Sequence, residues 1–306
     1  MASKSVFYFF LLVLVFEFQT SFGQGTVNGA YWLADAGVPA SDIDSTLFTH
    51  LFCAFAELDP QTNKVTLPST SFSQFTATVR LKNPSVKTLL SIGGGNIADP
   101  NTFPAMASQP SSRKSFIDSS ISVARANGFS GLDLNWEYPR TTNQMADMES
   151  LLKEWRAAVA AEAASSSRSP LLLTTAINNA PRIKELSYPI QAIQKNLDWV
   201  NVMAYDFYDL SYSKVTRPHS TLYDPAGRFN GSNGIQNWLV EALANLQYLR
   251  HLPPRFQNRY CDSTVKGLLA KARDRPPRCY FDTGYQAAKK KATAGAVLLS
   301  SEGTFL

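Results

Sequence analysis

Apolar runs of strand length alternate with longer segments of helical spacing along most of the chain. The short runs are rich in β-branched and aromatic residues and are bounded by polar or glycine-containing turns. We predict six strands from them, at residues 27–33, 48–58, 87–95, 131–139, 170–178 and 197–207. Regular alternation of strand and helix predicts parallel strands joined by right-handed crossovers.

Two of the intervening segments have recognisable helix ends and one apolar face each. Residues 112–127 stop before Gly128, a residue typical of the position just after a helix. Residues 143–164 place Met145 and Trp155 on their apolar face. We expect these methionine and tryptophan side chains to be core rather than a ligand pocket.

Two architectures fit this order of elements, a closed (β/α)8 barrel and an open doubly wound sheet. Ser91, Glu137 and Asp206 fall at the C-terminal ends of three different predicted strands, where a barrel places its active site. The glycines at 93–95 follow a strand but lack the spacing of a dinucleotide-binding motif. We therefore predict an α/β fold, a TIM barrel.

A row of polar residues runs along the predicted strand at 131–139. Because side chains alternate along a strand, Asp133, Asn135 and Glu137 share one face. Polar groups inside a barrel need hydrogen bonds or a task, so the row is either a satisfied polar layer or a catalytic site. In the second case Glu137 is suited to proton donation. Hydrolysis usually needs a second group as nucleophile or base, and the sequence offers no clearly opposed second carboxylate.

The first residues of the chain have the composition of a targeting segment. An apolar run at 6–16 follows Lys4 and precedes small residues at 20–23, which predicts a secretory signal peptide at 1–23. A membrane anchor is the alternative, but no second run of about 20 apolar residues follows. We expect a secreted protein, extracellular or in the secretory pathway or vacuole, with no membrane contact after cleavage. Asn230, in Asn-Gly-Ser, is then a candidate glycosylation site.

The formal net charge of +5 resides in the last part of the chain. From residue 245 onward, eleven Lys and Arg against four Asp and Glu give +7, which leaves −2 for the rest. We therefore expect no nucleic-acid partner. Cys53 lies in an apolar run and is expected to be a buried hydrophobe, whereas Cys261 and Cys279 are either bridged or free.

Three short motifs resemble one enzyme family. The segment 130-SGLDLNWEYP-139 resembles the Asp-Gly-x-Asp-x-Asp-x-Glu signature of glycoside hydrolase family 18. The segments 91-SIGG-94 and 203-MAYD-206 resemble its Ser-x-Gly-Gly and Met-x-Tyr-Asp motifs. Two longer stretches, 46-TLFTHLFCAFAEL-58 and 84-PSVKTLLSIGGG-95, resemble plant class V chitinases.

The resemblance implies a TIM barrel and hydrolysis in which the substrate's own N-acetyl group is the nucleophile, which removes the need for a second carboxylate. The family's catalytic positions correspond to Asp133, Asn135, Glu137 and Tyr205. It implies that Glu137 protonates the glycosidic oxygen above a deeper Asp133, and that Tyr205 and Asp206 hold the acetamido group.

The resemblance also implies a sugar subsite, and no metal or cofactor. Tyr31 and Phe55 correspond to aromatic positions of the first two strands, although both could equally be core aromatics. Tyr138 and Met203 belong to the same implied substrate-binding set. The partner implied is chitin or an N-acetylglucosamine oligosaccharide, bound by a monomer.

The chain departs from the family pattern at one catalytic position. Asn135 stands where the family has an Asp that stabilises the cyclised acetamido intermediate. An amide can accept a hydrogen bond from the acetamido N–H but cannot carry the charge or the proton. Loss of such a contact costs about 2 to 4 kcal/mol, or roughly two to three powers of ten in rate.

The chain also departs from the pattern after residue 244. The last tryptophan is Trp238, so the family's eighth-strand tryptophan is missing, and the residues 245–306 are Pro- and Arg-rich with weak periodicity. We expect a signal peptide at 1–23, a barrel at 24–244 that is incomplete or altered at its C-terminal strands, and a divergent basic tail at 245–306. An altered reading frame, retained intron or wrong exon is one hypothesis for the tail, which transcript sequencing would test.

Three functional hypotheses remain from the sequence. The first is a chitinase-like glycoside hydrolase, acting on β-1,4-linked N-acetylglucosamine polymers with reduced activity. The second is a lectin-like protein of the same fold that binds chitin oligosaccharides without cleaving them. The third is a truncated product that does not fold independently.

Overall fold

The described part of the chain covers the predicted barrel but not the segments on either side. The computed structural model describes residues 27–34, 36–95, 97, 99–208, 214–215, 217, 219–221 and 231–244. The predicted signal peptide at 1–23, Asn230, Cys261, Cys279 and the predicted tail at 245–306 lie outside these residues. No helix within them is long and apolar enough to cross a membrane.

Six parallel strands form the main sheet, and their spatial order follows their order in the chain. They are β1 (Gly29–Leu33), β2 (His50–Leu58), β4 (Lys87–Gly93), β5 (Gly131–Asn135), β6 (Leu172–Asn178) and β9 (Trp199–Met203). The short strand β3 (Val65–Thr66) pairs antiparallel with β2. A separate hairpin joins β7 (Arg182–Ile183) to β8 (Leu186–Ser187).

The sheet curls until side chains from its two ends meet. Strands β1 and β9 lie at opposite ends of the strand order. Nevertheless the Nδ2 of Asn201, on β9, donates a hydrogen bond of 2.8 Å to the Oη of Tyr31, on β1. A small apolar cluster of Phe52, Leu89 and Trp199 fills the interior towards the N-terminal ends of the strands. The described strands thus form an incomplete (β/α)8 barrel.

Helices alternate with the parallel strands and cover the outer face of the sheet. They are α1 (Thr70–Arg80), α2 (Thr102–Ser108), α3 (Pro110–Ala126), α4 (Thr142–Ser166), α5 (Ile190–Asn196) and α6 (Gly231–Ala244). Proline at the first position of α3 costs no hydrogen bond, because that N–H has no partner within the helix. The Oγ1 of Thr141 caps α4 by accepting a hydrogen bond from the N of Gln144, at 3.2 Å.

The main apolar core lies between this outer face and the helices. Trp155 is fully buried there, and its ring meets that of Phe116 edge to face, with ring centroids 5.2 Å apart. Its indole N–H donates to the Oγ of Ser120 at 3.0 Å, so this buried polar group has a hydrogen-bond partner. Met145 is buried in the same cluster. The expectation that these side chains belong to the core is confirmed.

Two predicted strands end earlier than the sequence pattern indicates. The strand predicted at 131–139 ends at Asn135, and the one predicted at 197–207 ends at Met203. The prediction that Glu137 lies on the strand is therefore wrong, because the ladder with β4 and β6 stops first. Trp136 nevertheless points outward, as expected, and stacks on Phe103 with centroids 5.7 Å apart.

Gly131, the first residue of β5, allows the close approach of the neighbouring strand. A Cβ at this position would lie 2.7 Å from the Cβ of Leu172 and 2.8 Å from its backbone oxygen. We predict that Gly131→Ala lowers the free energy of unfolding by about 1 to 3 kcal/mol, because the strands must shift. Urea denaturation of the purified chain would measure the change.

Leu81→Ala is the matched control, since Leu81 is exposed and its truncation should change stability by less than about 0.5 kcal/mol. An unchanged urea midpoint for Gly131→Ala would contradict the close approach of β5 and β6 at this position.

Candidate active site

The carboxylate of Asp133 lies fully buried at the centre of the barrel and is bonded from four strands. Its Oδ2 accepts hydrogen bonds from the Oη of Tyr31 at 2.9 Å and the Oγ of Ser91 at 2.7 Å. Its Oδ1 accepts from the Oγ1 of Thr174 at 2.6 Å and the Nδ2 of Asn201 at 3.3 Å. Each oxygen therefore has two donors, and the side chain is fixed in place.

Burial is the largest influence on the pKa values of Asp133 and of Tyr31, which donates to it. Burial raises the pKa of the Asp133 carboxyl, and its four hydrogen bonds act in the opposite direction. Burial, and after it the charge of Asp133, raises the pKa of Tyr31 well above its usual value. Tyr31 therefore keeps its proton and remains a donor to the carboxylate.

Asn135 occupies the next inward position of β5 and is not satisfied in the same way. Its backbone oxygen accepts a hydrogen bond of 2.9 Å from the N of Gly94. The residue is only 4% exposed, yet its Oδ1 has no hydrogen-bond partner among the described residues. A buried polar oxygen without a partner is costly, so this atom is suited to accept a hydrogen bond from a ligand.

Glu137 follows β5 by two residues and is half-buried near the C-terminal ends of the strands. Burial raises the pKa of its carboxyl, and the negative charge of Asp206 raises it further. A carboxyl group that keeps its proton at weakly acidic pH can serve as a general acid. Gly95 leaves room for it, since a Cβ there would lie 3.1 Å from the Oε2 of Glu137.

Three tyrosines surround this carboxyl group. In Tyr138, Tyr188 and Tyr205, burial is the largest cause of a raised pKa, and the charge of Glu137 raises all three further. The pKa of Tyr138 is about 12. Its Oη lies 3.8 Å from the sulfur of Met203. All three phenols therefore keep their protons, and those of Tyr138 and Tyr205, which are partly exposed, can donate hydrogen bonds to a ligand.

Phe55 approaches the same end of the barrel through an irregularity in β2. The register between β2 and β4 shifts between Cys53 and Ala56, and Phe55 lies within the shift. Gly94, with φ of +91°, allows the contact, because a Cβ there would lie 2.7 Å from the Phe55 ring. The described loop after β4 and the Phe55 ring thus pack directly on each other.

The structure divides the predicted row into two parts. Asp133 belongs to a satisfied polar layer, whereas the Oδ1 of Asn135 has no hydrogen-bond partner among the described residues and Glu137 lies beyond the end of the strand. The other implied site residues, Tyr31, Phe55, Tyr138, Met203, Tyr205 and Asp206, all lie on or just after the same set of strands.

Sequence reasoning missed three residues of this site. Thr174 and Asn201 occupy inward positions of β6 and β9, so the alternation of side chains could have indicated them. Tyr188 follows the β7–β8 hairpin, where no periodic pattern points to the site. Within the described residues no group of three or more His, Cys, Asp or Glu could hold a metal ion.

Comparison with known proteins identifies the family. A family model described as "Glycosyl hydrolases family 18" matches residues 27–248. The chain belongs to this family. The class V chitinase of Arabidopsis thaliana is 52% identical over 229 residues, which are 74% of this chain and 60% of that protein. The chain spans about three-fifths of the length of the curated relatives it matches.

Solved structures of the family agree with the fold. A mutant of the class V chitinase from Nicotiana tobaccum, in complex with NAG4, matches with a TM-score of 0.68 and 52% identity, covering 70% of this chain and 63% of that one. The chitinase-like agglutinin RobpsCRA from Robinia pseudoacacia matches with a TM-score of 0.66 and 50% identity. The match covers 71% of this chain and 66% of that one. The predicted family 18 resemblance and TIM-barrel fold are both confirmed.

The negative charge of Asp206 yields a prediction about Glu137. Asp206→Asn removes that charge, so the pKa of Glu137 should fall towards its usual value. Carboxyl ¹³C NMR titration of the chain would measure the shift, with Glu137→Gln to assign the resonance.

Asp118→Asn is the matched control, since Asp118 is exposed on α3 and is absent from the charges that act on Glu137. A Glu137 resonance that titrates at the same or a higher pH in Asp206→Asn would contradict the electrostatic coupling.

Proposed function

We propose that this chain binds N-acetylglucosamine oligosaccharides from chitin and hydrolyses their β-1,4 links at a reduced rate. The observation that supports this most is the pairing of Glu137, with its raised pKa, and the buried Oδ1 of Asn135, which has no hydrogen-bond partner among the described residues. A proton donor beside a hydrogen-bond acceptor for an acetamido N–H suits this class of sugar. The complex of a tobacco relative with NAG4 supports the same ligand class.

The proposed reaction uses the N-acetyl group of the substrate as nucleophile. Glu137 gives its proton to the glycosidic oxygen as the bond from that oxygen to C1 breaks. The acetamido carbonyl oxygen bonds to C1 and closes a cyclic oxazolinium ion. A water molecule then attacks C1, the ring opens, and the Glu137 carboxylate takes the proton of that water. The anomeric configuration is retained, since C1 is inverted twice.

The residues around Glu137 would hold the sugar during both steps. Tyr205 and Asp206, on the segment after β9, are proposed to contact the acetamido group. Tyr31, Phe55, Tyr138 and Met203 are proposed to line the subsite. Asp133 is proposed to act from below as a fixed negative charge, because its four hydrogen bonds prevent it from turning towards the substrate.

Asn135 is the reason to expect slow turnover. Its amide accepts a hydrogen bond from the acetamido N–H but leaves the oxazolinium ion without a counter-charge at this position. We expect the rate to be lower by roughly two to three powers of ten than with a carboxylate there. Binding of the sugar depends less on that charge, so it should be retained better than catalysis.

A lectin-like protein without turnover is the second candidate. Asn135 favours it, and so does the 50% identity to a chitinase-like agglutinin from Robinia pseudoacacia. The secreted location indicated by residues 1–23, glycosylation at Asn230 and a monomeric state are further parts of the proposal, and they rest on the sequence alone.

Asn135→Asp separates the two candidates. We predict that this substitution raises the hydrolysis of soluble chitin oligomers by at least about tenfold, because it restores the missing charge. Hydrolysis would be followed by chromatography of the products, and binding by calorimetry with chitotetraose. Glu137→Gln should abolish hydrolysis in both backgrounds.

Thermal unfolding of each variant is the control, since a cooperative transition excludes an unfolded product as the cause of low activity. A folded Asn135→Asp protein that binds the oligomers but does not cleave them would favour the lectin. Hydrolysis that survives Glu137→Gln would show that another group is the acid.

A further inference from the structure

A short segment folds back onto the residues that follow β9. The backbone N of Phe207 donates a hydrogen bond of 3.1 Å to the backbone O of His219. The guanidinium of Arg217 lies over the Tyr208 ring, 5.4 Å from its centroid. These contacts hold the segment around residue 219 beside the part of the site that carries Tyr205 and Asp206.

The His219 side chain contacts both of those residues at once. Its Nε2 lies 3.3 Å from the Oδ1 of Asp206, a close approach that does not have the geometry of a hydrogen bond, since this nitrogen has no hydrogen-bond partner among the described residues. Its ring lies nearly parallel to that of Tyr205, with an angle of 20° between the rings and 6.2 Å between their centroids. The His219 side chain is 24% exposed and that of Asp206 is 57% exposed, so the imidazole lies on the more buried side of the carboxylate and limits the space open to it.

Asp206 needs such support because of its backbone. Its φ of +58° is in the left-handed region, which residues other than glycine adopt at a cost. That conformation turns the carboxylate away from the direction it would take in a continuing strand. A contact that restricts the side chain therefore determines where the charge lies relative to Glu137 and to a ligand.

We propose that His219 is a positioning residue that fixes Tyr205 and Asp206 for an N-acetyl sugar. The proposal rests on the function proposed above, in which Tyr205 and Asp206 contact the acetamido group. His219 acts through these two residues and need not contact the sugar. The histidine comes from outside the three family motifs, so it makes the geometry of the site depend on a segment that the motifs do not include.

Two substitutions separate the contacts of His219. His219→Phe keeps an aromatic ring against Tyr205 but removes the nitrogen that faces Asp206. His219→Gln keeps a nitrogen near Asp206 but removes the ring. His219→Ala removes both, and Arg217→Gln removes the contact with the Tyr208 ring while leaving the His219 side chain itself intact.

The experiment is calorimetric binding of chitotetraose to the full chain and these four variants. We expect His219→Ala to raise the Kd by about threefold to tenfold, as for a modest loss of positioning in a partly exposed site. His219→Phe and His219→Gln should each recover part of that loss. Arg217→Gln should change the Kd by less than about twofold.

In the Asn135→Asp background, the same series should lower kcat more than it raises KM, because orientation matters most in the transition state. A structural role alone would change the thermal midpoint and would not be rescued by the two conservative variants.

Three results would overturn the proposal. His219→Ala could bind as tightly as the wild type, or Arg217→Gln could weaken binding as much as His219→Ala, which would assign the effect to the segment as a whole. A folded wild type that binds no chitotetraose would overturn the proposed function, and the role of His219 with it. The first two results leave the proposed function intact, so the two failures are distinguishable.

Discussion

The buried carboxylate of Asp133 is the constraint on which the rest of the site depends. A charge taken out of water is tolerated only where hydrogen bonds replace its hydration. Here the donors are Tyr31, Ser91, Thr174 and Asn201, one from each of β1, β4, β6 and β9. All four strands must therefore present an inward residue at the same depth. A slip of one residue in any of them would turn its donor outward and leave the charge unpaired.

The same requirement explains the curvature of the sheet. The donors on β1 and β9 reach one carboxyl group although these strands lie at opposite ends of the strand order. The hydrogen bond between Tyr31 and Asn201 closes the interior at that depth. Asn201 is itself held by the indole of Trp199, whose N–H donates to its Oδ1 at 3.1 Å. Polar side chains therefore fix a curl that an apolar interior would leave less well determined.

Much of this arrangement could be predicted from the sequence. The inward row of Asp133 and Asn135 followed from alternation along one strand, and the parallel order followed from alternation of strands and helices. The ends of β5 and β9 were predicted too late, because polar and aromatic residues continue the alternation after the ladder has stopped. Tyr188 and His219 could not be predicted, since each comes from an irregular segment whose position depends on tertiary contacts.

Asn135 changes which charges act on the pKa of Glu137. With a carboxylate at 135, Glu137 would have a negative charge two residues before it, at the end of β5, and such a neighbour raises the pKa of a second carboxyl group. In this chain the raised pKa of Glu137 arises from burial and from Asp206 instead. The charge that raises the pKa of Glu137 therefore does not come from β5, the strand that the hydrogen bonds of Asp133 fix in place. It comes from the segment after β9. That segment has less regular structure to hold it, which is why its contacts with His219 matter more here than in a site with a second carboxylate on β5.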